Sequence, residues 1–384
     1  MVTEMINVEH ILKNYNIEGK FYDAKYYGSG HINDTILITF INGENYYKYI
    51  LRKINNYVFK EPKLIIENTV NVTKHIRNKL NNSKILNSKE TVLTLIENIN
   101  GEPFYIFDNN YWCLFNFVDN AYTVDNVDTE QQAYAAAKAY GKFQKYLSDF
   151  NVDKCHITIE GFHNLSNRIK YLEDVIQKDP NKRLQYVQHE INQLENYYYI
   201  KTEFEKLKYK DLPIRITHND TKINNIMLDK ETNEGICVID LDTVMPGIIL
   251  NDFGDMVRTF TSPALEDEKD FSKIEMRLKI FNALVEGYLE ETINILTNDE
   301  INNLVLGSKI ILFEQAIRFL TDYLAGDMYY KIDYDDHNLN RAKNQFSLLA
   351  SIEKQSNAME KIIAQYVSNV NSKKTEQSIH NIQR

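Results

Sequence analysis

Ile216-Thr217-His218-Asn219-Asp220-Thr221-Lys222-Ile223-Asn224-Asn225, followed by Ile239-Asp240-Leu241-Asp242, decides how this chain folds. The first string has the form H-x-D-x-x-x-x-N, and the second closes an apolar run on a carboxylate. Between them Ile226-Met227-Leu228 is apolar, Lys230 to Gly235 is polar, and Ile236-Cys237-Val238-Ile239 is apolar again. Two short apolar runs around such a turn predict a β-hairpin. With the turn centred near Thr232-Asn233, Asn225 is expected opposite Asp240. Facing residues of an antiparallel pair lie roughly 5 Å apart, close enough to share one metal ion. Asp220 stands one short loop upstream, at the mouth of the same hairpin.

That set of residue types suits phosphoryl transfer. The reaction needs a carboxylate to orient the attacking hydroxyl and oxygen ligands for Mg²⁺. Asp220 suits the first task, Asn225 and Asp240 the second.

The 384 residues allow two domains or one large two-lobed one, and 43% hydrophobic content supplies a sizeable core. Lys+Arg 44 against Asp+Glu 54 gives a net charge of −10 with no basic block, which disfavours a nucleic-acid partner. Cys113, Cys155 and Cys237 are far apart and outside any C-x-x-C spacing, so reduced core thiols are expected. Met1 to His10 has no apolar leader, and no apolar run approaches ~20 residues. The expectation is a cytoplasmic protein without a membrane partner.

Strand patterns occupy Phe21–Tyr27, Thr35–Ile41, Tyr46–Ile54, Thr91–Glu97 and Tyr111–Val118, with one helix over Glu61–Leu80. Helical spacing dominates afterwards, over Thr129–Asp149, Asn181–Leu207, Phe271–Leu289, Asp299–Ala325 and Leu339–Val367. The expected fold is α+β and bilobal, with a strand-rich lobe over 1–118 and a mostly helical lobe over 119–371 holding the hairpin. Residues 372–384 lack periodicity and read as a disordered tail.

Gly28-Ser29-Gly30 lies between two predicted strands, where glycine lets backbone N–H groups approach phosphate. It is no Walker A loop, because no G-K-[ST] follows. A strand cation should hold the α/β-phosphates and a helix carboxylate should hold that cation. Arg52 is favoured over Lys53 and Lys48, and Glu67 over Glu61. Asp252-Phe253-Gly254 spells a kinase metal motif, yet Asp240 already ends the hairpin. Asp252 therefore reads as a helix N-cap and a brace for the catalytic loop.

With these parts in place, the chain resembles the aminoglycoside phosphotransferase and choline kinase group, which has a protein-kinase-like fold. The carrying segments are Gly28 to Thr35, Thr217 to Asn225, Ile239 to Gly247 and Asn251 to Asp255. The longer strings T-H-N-D-T-K-I-N-N and I-D-L-D-T-V-M-P-G look most like those of N-acetylhexosamine 1-kinases. The resemblance implies Asp220 as catalytic carboxylate, Asn225 and Asp240 as Mg²⁺ ligands, and Lys222 beside the transferred phosphoryl. Backbone groups around Val118 would meet adenine. The phosphate-binding strand position is usually Lys in the group, whereas Arg52 stands here.

On the acceptor side, Arg318 interrupts the apolar helix pattern Phe313 to Leu320, and a buried Arg requires a partner. Asp322, four residues on, is one candidate; a sugar hydroxyl or acetamide oxygen is the other, as the resemblance implies. Gly326 ends the helix and brings Asp327 and Tyr329 near, while His31 and Asp34 reach nucleotide or sugar. The implied activity is ATP- and Mg²⁺-dependent phosphorylation of the anomeric hydroxyl of an N-acetylhexosamine. Alternative acceptors are choline, a hydroxylated amino acid, an aminoglycoside or another small alcohol. An ATP-binding scaffold is a third reading, opposed by the complete set of carboxylate and metal positions.

Overall fold

The computed structural model describes residues 8–28, 33–56, 59–82 and 91–382. Strands β1 (Lys20–Tyr26), β2 (Asp34–Asn42) and β3 (Asn45–Lys53) form an antiparallel meander, closed at β2–β3 by a two-residue turn with Asn42 paired to Asn45. Further along lie β4 (Leu95–Ile96), β5 (Tyr105–Phe107) and β6 (Asn110–Asn116); β6 docks on β3, giving the order β1-β2-β3-β6-β4 with β5 on β6. Helical residues 8–12 (α1) cover one face, where Val8, Ile11 and Leu12 meet Ile36, Ile38, Phe40, Leu51 and Leu114. Helix α2 (Pro62–Asn82) covers the other through Ile65 and Ile66 against Cys113 and Phe115. Side chains alternate along a strand. Buried Leu51 therefore faces α1, and its neighbour Arg52 leaves the sheet on the opposite side.

The chain crosses at Phe117-Val118 into the helical region. There β7 (Ala121–Tyr122) extends the hairpin β9 (Ile226–Asp229)/β10 (Gly235–Val238), while β8 (Arg215–Thr217) pairs with β11 (Met245–Gly247). Around these stand α3 (Glu130–Leu147), α4 (Leu165–Lys178), α5 (Gln188–Lys206), α6 (Ile249–Thr261), α7 (Leu278–Thr292), α8 (Asn298–Asn302), α9 (Leu304–Ala325) and α10 (His337–Ile382). Thr129 and Gln132 form a reciprocal capping box that starts α3. Helix α9 is apolar on most sides, and α4, α5, α6 and α10 all pack on it. Its crossing with α6 is backbone to backbone. A Cβ on Gly254 would lie 2.4 Å from the Gly307 carbonyl oxygen, and one on Gly307 would lie 2.6 Å from that of Leu250.

The strand-rich region followed by helices is the expected α+β architecture. Several boundaries differ from the sequence reading. Helix α4 was not anticipated, and α5 begins at Gln188 rather than at residue 181 because a 3₁₀ turn, Leu184–Tyr186, precedes it. The backbone of α10 continues to Ile382, so 372–382 extend a helix where a non-periodic tail was expected. Cys113, Cys155 and Cys237 are free and buried, and burial raises each thiol, to about 12 for Cys155 and Cys237. No described helix is long and apolar enough to cross a membrane.

Candidate active site

The hairpin is held by its own turn chemistry. Asp229 Oδ1 accepts from the N–H groups of Glu231 and Thr232 at 3.0 and 2.9 Å, and Asn233 adopts φ 58°. Asp229 N–H meets the Glu234 carbonyl at 2.9 Å, which centres the turn on Glu231-Thr232, and a register shift follows between Gly235 and Cys237. Together these correct the expected pairing. Ile239 N–H bonds the Asn225 carbonyl at 2.9 Å, so Ile239 faces Asn225, and Asp240 comes one residue later in a left-handed conformation, φ 60°.

Asp220 lies in a loop pinned from three sides. His218 Nε2 donates to the Ile239 carbonyl (2.9 Å), and its Nδ1 accepts from Asp220 N–H (3.3 Å), which assigns the Nε2–H tautomer. Tyr140 of α3 donates to the Lys222 carbonyl at 2.7 Å. Asp252 accepts His218 N–H (2.9 Å), Asn219 N–H (2.7 Å) and Gln144 Nε2 (2.9 Å), and its carbonyl accepts Thr221 Oγ1 (2.6 Å). Bracing of the loop by Asp252 is therefore observed, whereas N-capping is not: α6 starts at Ile249 and Asp252 sits in its first turn.

The Asp220 carboxylate spends Oδ1 on Lys222 Nζ (2.9 Å) and Oδ2 on Asn225 Nδ2 (3.1 Å). Burial pushes this carboxyl up, but Lys222 first and Arg258 after it outweigh burial and hold it below the usual range. Asp220 draws the Lys222 ammonium upward in turn. Such a carboxylate stays ionised and suits the orienting of a hydroxyl.

The donor set fits Mg²⁺. Asn225 uses Nδ2 on the Asp220 carbonyl (2.8 Å) and carboxylate, and its Oδ1 accepts from no described protein group. The Asp240 side chain remains 39% exposed. An amide oxygen and a carboxylate are the hard ligands this cation takes.

Arg52 crosses from β3 to this cluster. Its Nη2 lies 2.5 Å from Asp240 Oδ1 and 3.1 Å from Asp242 Oδ2. Asn33 Nδ2 donates to the same Asp242 oxygen, and Asn33 Oδ1 accepts Asn55 N–H at 2.8 Å. Burial pushes the Asp242 carboxyl up to about 6 against the pull of Arg52. Lys53, on the opposite face of β3, pairs with Asp34 at 3.5 Å. Glu67 is corrected. It is exposed and meets His156 Nε2 at 3.0 Å, so helix α2 gives Arg52 no carboxylate at that position.

Gly28 adopts φ 83°, which excludes most side chains on backbone grounds alone. Ser29, Gly30 and His31 lie outside the described residues. Val118 packs its side chain on Met227, Ile236 and Cys237, and neither of its backbone groups is bonded to another described residue. Tyr27 and Lys48 approach the Phe117 ring at 6.0 and 5.3 Å.

On α9 the Arg318 guanidinium stands among three rings, Phe162 (5.5 Å), Tyr330 (5.6 Å) and Tyr329 (5.9 Å), and donates to Gln315 Oε1 at 3.1 Å. Asp322 is not its partner. That carboxylate accepts the N–H groups of Met328, Tyr329 and Tyr330 at 3.0, 2.8 and 2.9 Å, holding the loop after Gly326. Asp327 is likewise corrected from substrate ligand to internal strut. It is buried between Arg183 Nη1 (2.5 Å) and Asn338 Nδ2 (2.8 Å). Tyr329 remains 63% exposed.

Sequence reasoning missed the link between α9 and the Asp220 loop. His163, with its side chain only 8% exposed, reaches Glu314 Oε1 of α9 with Nδ1 (3.1 Å) and the Asn219 carbonyl with Nε2 (3.3 Å). Burial lowers this imidazole, but Glu314 overrides it and the net direction is upward. With an oxygen acceptor at each nitrogen, the imidazolium is the form that satisfies both. No local pattern around His163 announces this. Asp242 and Asn33 were also missed, although Asp242 stood in view two residues after Asp240.

A family model described as the phosphotransferase enzyme family matches residues 23–271. Among solved structures, an aminoglycoside phosphotransferase from Alicyclobacillus acidocaldarius superposes with TM-score 0.59 at 11% identity, covering 94% of this chain and 96% of that one. A spectinomycin phosphotransferase in complex with ADP and spectinomycin gives 0.55 at 14%, covering 91% and 96%. A choline kinase from Cryptosporidium parvum gives 0.54 at 16%, covering 96% and 99%. At these identities the likeness is one of fold.

Proposed function

Because the chain belongs to the phosphotransferase enzyme family, we propose that it transfers the γ-phosphoryl of ATP to the anomeric hydroxyl of an N-acetylhexosamine. The observation that carries this reading is a pair of half-sites joined by one residue. Asp220, with Lys222 and Asn225 on its two oxygens, is tied through His163 to the helix that presents Arg318 among aromatic rings.

In this scheme Asp220 orients the acceptor hydroxyl and takes its proton, and Lys222 offsets charge on the transferred phosphoryl. Asn225 and Asp240 would hold Mg²⁺, which supplies positive charge to the phosphate oxygens. Arg52 contacts the phosphates, and the Val118 backbone meets the adenine edge. Arg318 donates to the acceptor's hydroxyl or acetamide oxygens while Tyr329 packs on a sugar face. The arginine also argues against cationic acceptors. A second positive charge about 6 Å from Arg318 would cost roughly 3 kcal/mol at an effective dielectric of 20.

Phosphorus NMR of the product from N-acetylglucosamine or N-acetylgalactosamine with Mg²⁺ and ATP tests the reading. An anomeric sugar phosphate is expected. Phosphorylation of choline or an aminoglycoside with no turnover of either hexosamine would replace it with the rival acceptor, and Mg·ATP binding without any transfer would leave the scaffold reading.

A further inference from the structure

The Arg52 contacts pose a conflict within the proposed site. The guanidinium touches Asp240, a carboxylate assigned to the metal, and Asp242, which no role yet uses. Arg52 takes only Oδ1 of Asp240, but a divalent cation on either oxygen stands beside the guanidinium, and the repulsion between the two cations favours release of that contact. The Asp242 contact has no such competitor: this carboxylate is 7% exposed and backed by Asn33, itself 7% exposed. Arg52 also keeps a buried Nε–H that meets no acceptor among the described residues, an unspent donor on the group facing the cleft.

We propose that Asp242, seated by Asn33, is the positioning carboxylate for Arg52, and that Arg52 works in two arrangements. In the free protein it bridges Asp240 and Asp242. When nucleotide arrives with its metal, Arg52 gives up Asp240, keeps Asp242 and turns its released donors to phosphate oxygens. Asp242 thus holds Arg52 from the helical lobe, where a carboxylate on α2 was expected to do so, and Glu67 is occupied by His156 instead. The exchange makes Arg52 a placeholder that keeps the metal affinity of the bare protein low, coupling cation binding to nucleotide binding. No bond is made or broken; only ion pairs change partners.

This inference rests on the kinase reading for the identity of the nucleotide, but its test needs no acceptor. Mn²⁺ binding to nucleotide-free protein is followed by the EPR signal of free Mn²⁺, and Mg·ADP binding by calorimetry. Arg52→Met is expected to tighten Mn²⁺ binding about tenfold or more, since two neighbouring carboxylates lose their counter-ion, while weakening Mg·ADP. Asp242→Asn is expected to weaken Mg·ADP about tenfold with little gain in Mn²⁺ affinity, because Arg52 then stays on Asp240. If Asp242→Asn does not fold, Asn33→Ala removes the support of Asp242 and should weaken Mg·ADP in the same direction; Arg52→Gln serves likewise for Arg52→Met, removes the same charge and should tighten Mn²⁺ binding in the same direction. Mn²⁺ affinity of Arg52→Met within about threefold of the parent overturns the proposal, as does unchanged Mg·ADP affinity in Asp242→Asn. A protein that passes both tests yet phosphorylates no hexosamine fails the functional reading alone.

Discussion

Asp220 is a carboxylate that its neighbours hold ionised against burial. Its two oxygens are engaged by Lys222 and Asn225, so its rotamer is fixed before any acceptor binds. Replacing it by Asn keeps the shape and removes the charge. Turnover is expected to fall by roughly 10²–10⁴-fold, with Mg·ADP affinity, read by calorimetry, changed little; undiminished turnover would remove Asp220 from the scheme. His163 makes a second residue-scale prediction. Its folded pKa is raised, so its stabilising contribution is fully present below the unfolded value near 6.5 and is lost as pH rises through the folded one. The melting-temperature gap between the parent and His163→Gln should therefore narrow as pH increases. A gap that widens would show that the imidazole is held neutral.

At the scale of elements, the loop after α9 and the α6–α9 crossing carry the clearest consequences. Three backbone N–H groups converge on Asp322, and bonds to a charged acceptor are worth about 1.5–3 kcal/mol each. Asp322→Ala should free Tyr329 and Tyr330, raising KM for the acceptor while leaving nucleotide binding alone; an unchanged acceptor KM would separate this loop from the site. Gly307→Ala places a methyl group against the Leu250 carbonyl and is expected to destabilise the fold by about 1–3 kcal/mol, measured by urea unfolding. Gly254 belongs to the same contact, so the segment Asp252-Phe253-Gly254 is committed to packing and to the loop. Phe253 is fully buried, Gly254 lets two helices touch, and Asp252 faces the loop.

The hairpin, its polar ends and the strand-to-helix division were legible because periodicity and turn residues are local signals. The register was not. A turn one residue earlier and a shift at Gly235 move Asp240 past Asn225, and no count along the sequence reveals a bulge. Long-range pairs were equally hidden. Glu67 looked like the partner of Arg52 from helix spacing, and only folding shows that His156 claims it. Asp327 was read by proximity to Arg318, but burial commits it to Arg183 and Asn338.

Taken as a whole, the molecule hangs the Asp220 loop between a sheet sandwiched by α1 and α2 and a helical body centred on α9. The contacts of Arg52 and Asn33 with Asp240 and Asp242 join strand-region residues to the hairpin end. Among the described side chains of α10, Val367 is the last that packs on the apolar core. Ser372, Lys373 and Lys374 are exposed, and truncation after Asn371 is expected to cost no more than about 0.5 kcal/mol of stability. A larger loss would mean that the end of α10 packs in solution.

The three buried cysteines have a practical use. With every native thiol both shielded and far from its thiolate form at neutral pH, maleimide reagents find no native target in the folded protein. Cysteines introduced at Tyr46, on the sheet, and Tyr186, before α5, both well exposed, would accept a dye pair in an otherwise silent background. Energy transfer between the dyes would then read, one molecule at a time, whether the distance between the two positions changes when Mg·ADP is added.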